Sequence, residues 1–278
     1  MKAREARGRF AALVRQPEAA IDLAHAALLI AAEEQPGLDV EHYRAILLEL
    51  GVAARESVLR APVGSKIDAL NRFVFVELGF HGDQQNYYEP ANSLLHEVLT
   101  RRSGIPITLS VVYMDLGRRA GLEVEGVALP GHFITRARAP DDTEHALVDP
   151  FGGAEVSVDE CQQRLDSMYG GQVPLTDEML RAATPREILA RILRNLKAIY
   201  AQSQLYRRAL AVIDRILLVA PGAHEERRDR GALLAQLGHY AEATRELKAY
   251  LKHAPHAADA EGVREQLKKV RLQLAMLN

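Results

Sequence analysis

Cysteine and tryptophan are almost absent from this chain of 278 residues, which contains one Cys and no Trp. A single thiol excludes a disulfide framework and a zinc site built from several thiolates. A surplus of one charge is missing too, because 35 Lys and Arg residues face 37 Asp and Glu residues. Nucleic acids and membrane surfaces attract proteins with a strong positive field, so neither is predicted as a direct partner.

Long hydrophobic runs are missing as well. The most apolar stretch, 26–32, is far shorter than the roughly 20 residues that span a bilayer. Arg15 interrupts the N-terminal apolar segment before it reaches the length of about 7–15 residues that a secretory signal needs. We therefore expect a cytoplasmic protein.

Nothing in the sequence is typical of a bound cofactor or metal. No glycine-rich phosphate loop is found, and Gly152-Gly153 reads as a turn. The ten histidines are scattered, and the closest pair, His253 and His256, is separated by Pro255. The sequence therefore predicts no cofactor and no metal site.

Apolar residues at helical spacing fill the first 80 residues. The pattern predicts a helix that ends at Pro36-Gly37, a second helix over about 40–50 that stops at Gly51, and a third that stops at Gly79. A polar, turn-rich segment follows over 80–90 and predicts a loop.

The middle of the chain changes from helices to strands. Asn92 or Ser93 is a candidate cap for a short helix. Pro106 suits the first turn of the next helix, which is apolar on most sides and therefore predicted to be buried. Short apolar runs between turn signals, including Pro140-Asp141-Asp142, then predict an antiparallel sheet up to about residue 150.

The C-terminal part repeats itself with a period of 34 residues. Tyr206 and Tyr240, Ala209 and Ala243, Leu217 and Leu251, and Pro221 and Pro255 form the matching pairs. Such a period indicates paired helices that stack on their neighbours. The pattern resembles the tetratricopeptide repeat, with two repeats and a final capping helix.

One histidine and one aspartate are candidates for chemistry. His132 follows Pro130-Gly131 at the start of a predicted strand, and Asp149 ends a later one. If these strands are neighbours, the carboxylate of Asp149 can bond the His132 ring and fix its tautomer.

The order of buried helix, His strand and Asp strand resembles the papain-like, transglutaminase-like fold. A similar bacterial family is the transglutaminase-like, repeat-containing family labelled as invasion-gene regulators of the SirB type. The resemblance runs from about residue 35 to the end and rests on the combined motifs Arg102-x-Gly104-Ile105-Pro106, Pro130-Gly131-His132-Phe133 and Asp149-Pro150-Phe151. It implies an α+β, mostly helical protein, with a transglutaminase-like domain over 1–180 and the repeat module over 181–278.

The chain departs from active enzymes of this fold at the nucleophile. By the resemblance, Gly104-Ile105-Pro106 occupies the position of a Gly-x-Cys motif, so proline replaces the thiol. The single cysteine, Cys161, follows the Asp strand in a predicted surface helix. Thr108 and Ser110 are the remaining candidate nucleophiles, although hydroxyls at a helix start commonly bond the backbone.

Polar and aromatic residues before the buried helix are candidates for lining a ligand cleft. They are Asn86, Tyr87, Asn92, Glu97, Arg102 and Pro106. The alternative interpretation is local: a cap, packed tyrosines and an ion pair between Arg102 and Glu97 or Glu89.

Two functions remain open from the sequence. The first is a regulatory interaction protein with a non-catalytic cleft and a repeat module that binds a peptide or protein. The second is a hydrolase or acyl-transfer enzyme, peptidase-like or amidase-like, that uses His132 and Asp149 with a hydroxyl nucleophile. The sequence specifies neither the partner nor the oligomeric state.

Overall fold

The alanine-rich and leucine-rich N-terminal sequence folds into helices that bury their apolar residues. The computed structural model describes residues 1–140 and 144–277, and the chain divides into two compact units, Met1–Ile188 and Leu189–Asn278. The helices before the sheet are α1 (Ala3–Leu13), α2 (Leu23–Glu34), α3 (Val40–Arg60), α4 (Lys66–Asn71), α5 (Leu95–Arg101) and α6 (Pro106–Arg119).

The second predicted helix is longer than its sequence pattern indicates. A stop at Gly51 is wrong, because α3 continues through it to Arg60. Gly51 is buried, and a Cβ atom there would overlap the Arg119 side chain of α6. The glycine therefore allows α3 and α6 to approach each other.

The loop predicted over 80–90 contains a short strand, and so does the break after α5. These strands, β1 (His81–Gly82) and β2 (Ser103–Gly104), pair in parallel. Asn92 lies in a 3-10 turn, Pro90–Ser93, which precedes α5. It therefore does not cap that helix, whose N-cap residue is Leu94.

Helix α6 forms the centre of the first unit, as its apolar sequence predicts. Pro106 is its first residue, and Ile105 occupies the N-cap position. Gly117 in this helix packs against Val124, where a Cβ atom would lie 2.5 Å from a methyl carbon. A glycine therefore brings the helix close to the sheet.

The predicted antiparallel sheet is confirmed. Its strands are β3 (Glu123–Val127), β4 (Ile134–Arg138), β5 (His145–Asp149) and β6 (Ala154–Val156), and they pair in sequence order. Thr135 of β4 is aligned with Val148 of β5. Asp141 and Asp142 of the predicted turn lie outside the described residues.

A helix follows the sheet where Ser157 and Glu160 form a capping box. This helix, α7 (Val158–Tyr169), turns one side toward the sheet and buries Cys161 and Leu165. The prediction of a surface helix is therefore correct only for its other side, where Val158 and Met168 are exposed.

One arginine joins the two ends of the first unit. The guanidinium of Arg186 donates hydrogen bonds to the carbonyls of Val14, at 2.9 and 3.0 Å, and of Gln16, at 2.6 Å. It also forms a salt bridge of 2.7 Å with Glu18. The end of this unit therefore stabilises its beginning.

The repeat sequence folds into the predicted paired helices. Helix α8 (Pro185–Gln202) continues into the second unit and is followed by α9 (Tyr206–Val219), α10 (His224–Gln236), α11 (Tyr240–His253) and α12 (Ala260–Met276). Each repeated tyrosine begins a helix, and each repeated proline follows the end of that helix. In α10, a Cβ atom on Gly231 would lie 2.8 Å from Leu247 of α11, so this glycine permits their close packing.

Candidate functional site

His132 and Asp149 meet at one end of the central sheet. His132 lies in the turn before β4, where its backbone N–H donates to Leu129 at 3.1 Å. Asp149 is the last residue of the neighbouring strand β5. The Nε2 atom of His132 is 3.1 Å from Oδ2 of Asp149. The structure thus brings together the two residues that the strand pattern placed at adjacent ends.

A third side chain, Arg164 of α7, completes the surroundings of Asp149. Its Nη1 atom lies 2.9 Å from the same carboxylate oxygen, Oδ2. The other oxygen, Oδ1, accepts a hydrogen bond of 3.0 Å from the backbone N–H of Phe151. Sequence reasoning missed Arg164, because the capping box at Ser157 indicates where α7 begins but not which side chain meets the sheet.

These contacts keep the buried carboxylate ionised. Burial by itself would raise the pKa of Asp149. The contact with His132 and its charge, the charge of Arg164 and the N–H of Gly152 outweigh burial and hold the pKa at about 2. The ionised carboxylate of Asp149 therefore interacts with both the imidazole of His132 and the guanidinium of Arg164.

This arrangement predicts an acid-sensitive contribution to stability. The folded-state pKa of Asp149, about 2, lies below the value of about 3.9 in an unfolded chain. The stabilisation, about 2 kcal/mol, is therefore present above pH 4 and is lost as the pH falls from about 4 to about 2. We expect Asp149→Asn to be less stable than the wild type at pH 7 and to converge with it near pH 2. Urea unfolding followed by circular dichroism across this range measures the difference.

A control variant, Arg164→Gln, retains the carboxylate and the histidine and removes one of the positive charges. We expect it to keep part of the pH dependence of the wild type. A constant stability difference between Asp149→Asn and the wild type from pH 7 to pH 2 would contradict the assignment.

The start of α6 contains no thiol. Pro106 is buried in its first turn. The hydroxyl of Thr108 donates to the carbonyl of Asn92 at 2.7 Å, and that of Ser110 donates to the carbonyl of Pro106 at 2.7 Å. Both residues are almost fully buried. Each hydroxyl proton is therefore directed at a backbone oxygen.

The single cysteine belongs to the hydrophobic core of the sheet. Cys161 is fully buried in a cluster with Val127, Leu129, Ile134 and Val156. Burial raises the pKa of its thiol. A protonated thiol in apolar surroundings is a poor nucleophile.

The side chain of Asn92 forms several hydrogen bonds in the region before α6. Its side-chain N–H groups donate to the carboxylate of Asp83, at 3.2 Å, and to the carbonyl of Asn86, at 2.8 Å. Its side-chain oxygen accepts a hydrogen bond of 2.7 Å from Arg101. Asn92 is fully buried, whereas Asn86 is exposed. The contacts of Asn92 are therefore local, but its side chain joins the loop to Arg101 and does not cap a helix.

The remaining predicted cleft residues are divided between this loop and α5. Tyr87 is 37% exposed, and its ring lies 6.0 Å from that of Phe151, two residues after Asp149. Glu97 is 3.7 Å from Arg101 and 3.3 Å from the ring of His96. An aromatic side chain of the loop thus lies beside the segment that follows Asp149.

Residues 1–140 and 144–277 contain no group of three or more His, Cys, Asp or Glu side chains placed to hold a metal ion. None of the helices described there combines the length and apolar character needed to cross a bilayer.

Comparison with known families agrees with this architecture. Residues 41–194 match the model of the transglutaminase-like superfamily, and residues 196–268 match a tetratricopeptide repeat model. The fold and the His–Asp site therefore define a transglutaminase-like domain followed by tetratricopeptide repeats. No solved structure matches the chain.

Similar proteins from other organisms identify the family within this superfamily. A "UPF0162 protein" of Xylella fastidiosa is 38% identical over 252 residues, which cover 89% of each chain. One of Pseudomonas aeruginosa is 32% identical over 226 residues, covering 81% of each. The chain belongs to this UPF0162 family of the transglutaminase-like superfamily. The mouse protein "F-box only protein 21" is 32% identical over 137 residues, 47% of this chain and 21% of that protein.

Proposed function

We propose that this protein is a regulatory interaction protein whose transglutaminase-like site binds a peptide without cleaving it. The observation that carries the proposal is Pro106, which begins α6 where the resemblance places a cysteine. Acyl transfer through a covalent intermediate needs an activated nucleophile. Proline offers none.

The groups that remain are suited to binding. The paired side chains of His132 and Asp149 are polar groups of the kind that hydrogen-bond peptide groups. The C-terminal repeats also support an interaction role, because tetratricopeptide repeats generally mediate contacts between proteins.

A substrate panel tests the absence of catalysis. We expect the purified full-length protein to show no turnover of peptides, amides or transamidation substrates above that of the His132→Ala variant. General base catalysis contributes about 10²- to 10⁴-fold, so a genuine activity would fall by at least that factor in the variant. Mass spectrometry of the products measures it.

The hydroxyl alternative makes a contrasting prediction. If Thr108 or Ser110 were a nucleophile, Thr108→Val or Ser110→Ala would abolish a turnover that also depends on His132. Either result, in a variant whose circular dichroism spectrum is unchanged, would contradict the interaction proposal and show that the protein is an enzyme.

A further inference from the structure

Arg102 adopts a backbone conformation that non-glycine residues rarely occupy. It ends α5 at φ 59° and ψ 20°, in the left-handed region. Its N–H donates to Val98 and its carbonyl accepts from His81, both at 2.9 Å. A helix commonly ends in this conformation with glycine, because a Cβ atom is strained there. The arginine at this position therefore requires a reason.

The Arg102 side chain lies on an aromatic ring. Its guanidinium carbon is 4.7 Å from the centre of the Phe80 ring, which is buried. The Nη1 atom is shielded from solvent and has no hydrogen-bond acceptor among the described residues. Burial lowers the pKa of Arg102, and no carboxylate among the described residues opposes that effect.

The adjacent arginine is a useful contrast. Arg101 lies 3.3 Å from Glu89 and 3.7 Å from Glu97, and it donates a hydrogen bond to Asn92. Two successive arginines thus lie at the end of the same helix. Arg101 is neutralised by carboxylates, whereas Arg102 is partly buried and has no carboxylate partner in residues 1–140 and 144–277. A buried polar group that lacks a partner is costly, and in native proteins it commonly marks a bound group or a functional role.

We propose that Arg102 is the binding residue for a carboxylate of the ligand. A guanidinium presents parallel N–H donors that match the two oxygens of a carboxylate. Because Nη1 is shielded from solvent, a small anion approaches through the part of the Arg102 side chain that is exposed. Its desolvated charge is attracted to an anion more strongly than a hydrated one.

A singly charged ligand fits better than a phosphate dianion. Within the described part of the chain, Arg101 has carboxylate partners and Arg102 has none, and Glu89 and Glu97 add negative charge nearby. One unneutralised positive charge balances one carboxylate.

Strand β1 connects Arg102 to the His132–Asp149 site. The N–H of His81 donates to the carbonyl of Arg102. The N–H of the next residue, Gly82, donates at 3.2 Å to the carbonyl of Phe151, two residues after Asp149. The assignment names the ligand chemistry of the peptide-binding site proposed above and depends on that proposal for its biological meaning.

An NMR titration of the full-length protein tests the site, with sodium acetate as the probe. The reporters are the backbone amides of His81 and Ser103, which flank Arg102 in the strand pair. We expect saturable shifts with acetate and none with acetamide or with sodium chloride at the same ionic strength. Arg102→Gln should abolish the shifts, and Arg102→Lys should weaken binding several-fold.

The matched control is Arg101→Gln, which removes the adjacent arginine that is already paired with carboxylates. Acetate affinity within twofold of the wild type is expected for this variant. Shifts that persist in Arg102→Gln, or the absence of saturable shifts in the wild type, would overturn the proposal.

A stability measurement separates binding from a structural role. We expect Arg102→Gly to leave the melting temperature unchanged or higher, since glycine relieves the left-handed strain. Gln204→Gly is the control, because Gln204 is the other described non-glycine residue with a positive φ, at 58°. A fall of several degrees in Arg102→Gly alone would show that the arginine is retained for packing, which contradicts the proposal.

Three acetylated tripeptides identify the source of the carboxylate. One has a free C-terminal carboxylate, one is amidated and contains an internal Glu, and the third is amidated and uncharged. Binding of either acidic peptide in an Arg102-dependent manner supports the site, and equal binding of the uncharged peptide overturns it. Turnover in the substrate panel would refute the non-catalytic function while leaving Arg102-dependent acetate binding intact, so the two failures are distinguishable.

Discussion

Replacing Glu226 with alanine is expected to lower the free energy of unfolding of the repeat unit by about 3 kcal/mol. The carboxylate of Glu226 is buried in α10, at 1% exposure, and lies 2.9 Å from Arg194 and 2.6 Å from Lys197 of α8. Removing the carboxylate leaves Lys197, whose side chain is 16% exposed, in a partly desolvated site with Asp229 at 2.8 Å. The loss of a buried partner costs more than the loss of an exposed one. Urea unfolding followed by circular dichroism measures the loss.

The adjacent residue provides the control. Glu225 is 54% exposed and lies 3.5 Å from the same Arg194. Exposed ion pairs contribute little, so Glu225→Ala should cost no more than about 0.5 kcal/mol. Equal losses in the two variants would refute the claim that burial decides the contribution.

The second large effect is expected for Asn92→Ala, which removes three hydrogen bonds at once. At about 1 kcal/mol for each bond, we expect the first unit to lose about 3 kcal/mol of unfolding free energy. The loop over 83–92 should also become more mobile, because Asn92 joins Asp83, Asn86 and Arg101. Amide hydrogen exchange of this loop, together with urea unfolding, measures both effects.

Asn86→Ala is the matched control for Asn92. Asn86 contributes its backbone N–H and carbonyl to the network, and both remain after the substitution. We expect a loss below about 0.5 kcal/mol, which is typical of an exposed site. If Asn86→Ala lowered the free energy of unfolding as much as Asn92→Ala does, the claim that the Asn92 side chain stabilises the loop would be wrong.

The contact between His132 and Asp149 was predictable because antiparallel strands that follow one another in sequence place their ends side by side. The repeat helices were predictable because a 34-residue period is a property of the sequence alone. Both signals are local or periodic. The fold class follows from them, and the family model confirms it.

Features that depend on distant segments could not be predicted in this way. From the sequence, Gly51 was expected to end the helix. It lies inside α3 instead, where the absence of a side chain leaves room for Arg119 of α6. Arg164 reaches Asp149 because α7 packs against the sheet, and nothing in its flanking sequence indicates that direction. Arg102 was a candidate cleft residue by its sequence, but the sequence offered Glu97 and Glu89 as its partners, and among the described residues these carboxylates lie beside Arg101 instead.

The link from Arg186 to the first helical segment has a consequence for biosynthesis. Val14, Gln16 and Glu18 emerge from the ribosome early, but the guanidinium that binds them is translated about 170 residues later. A nascent chain must leave these carbonyls hydrated until the first unit is almost complete, whereas each repeat finds its neighbour within a few dozen residues. Closure of the N-terminal segment is therefore a late event in co-translational folding.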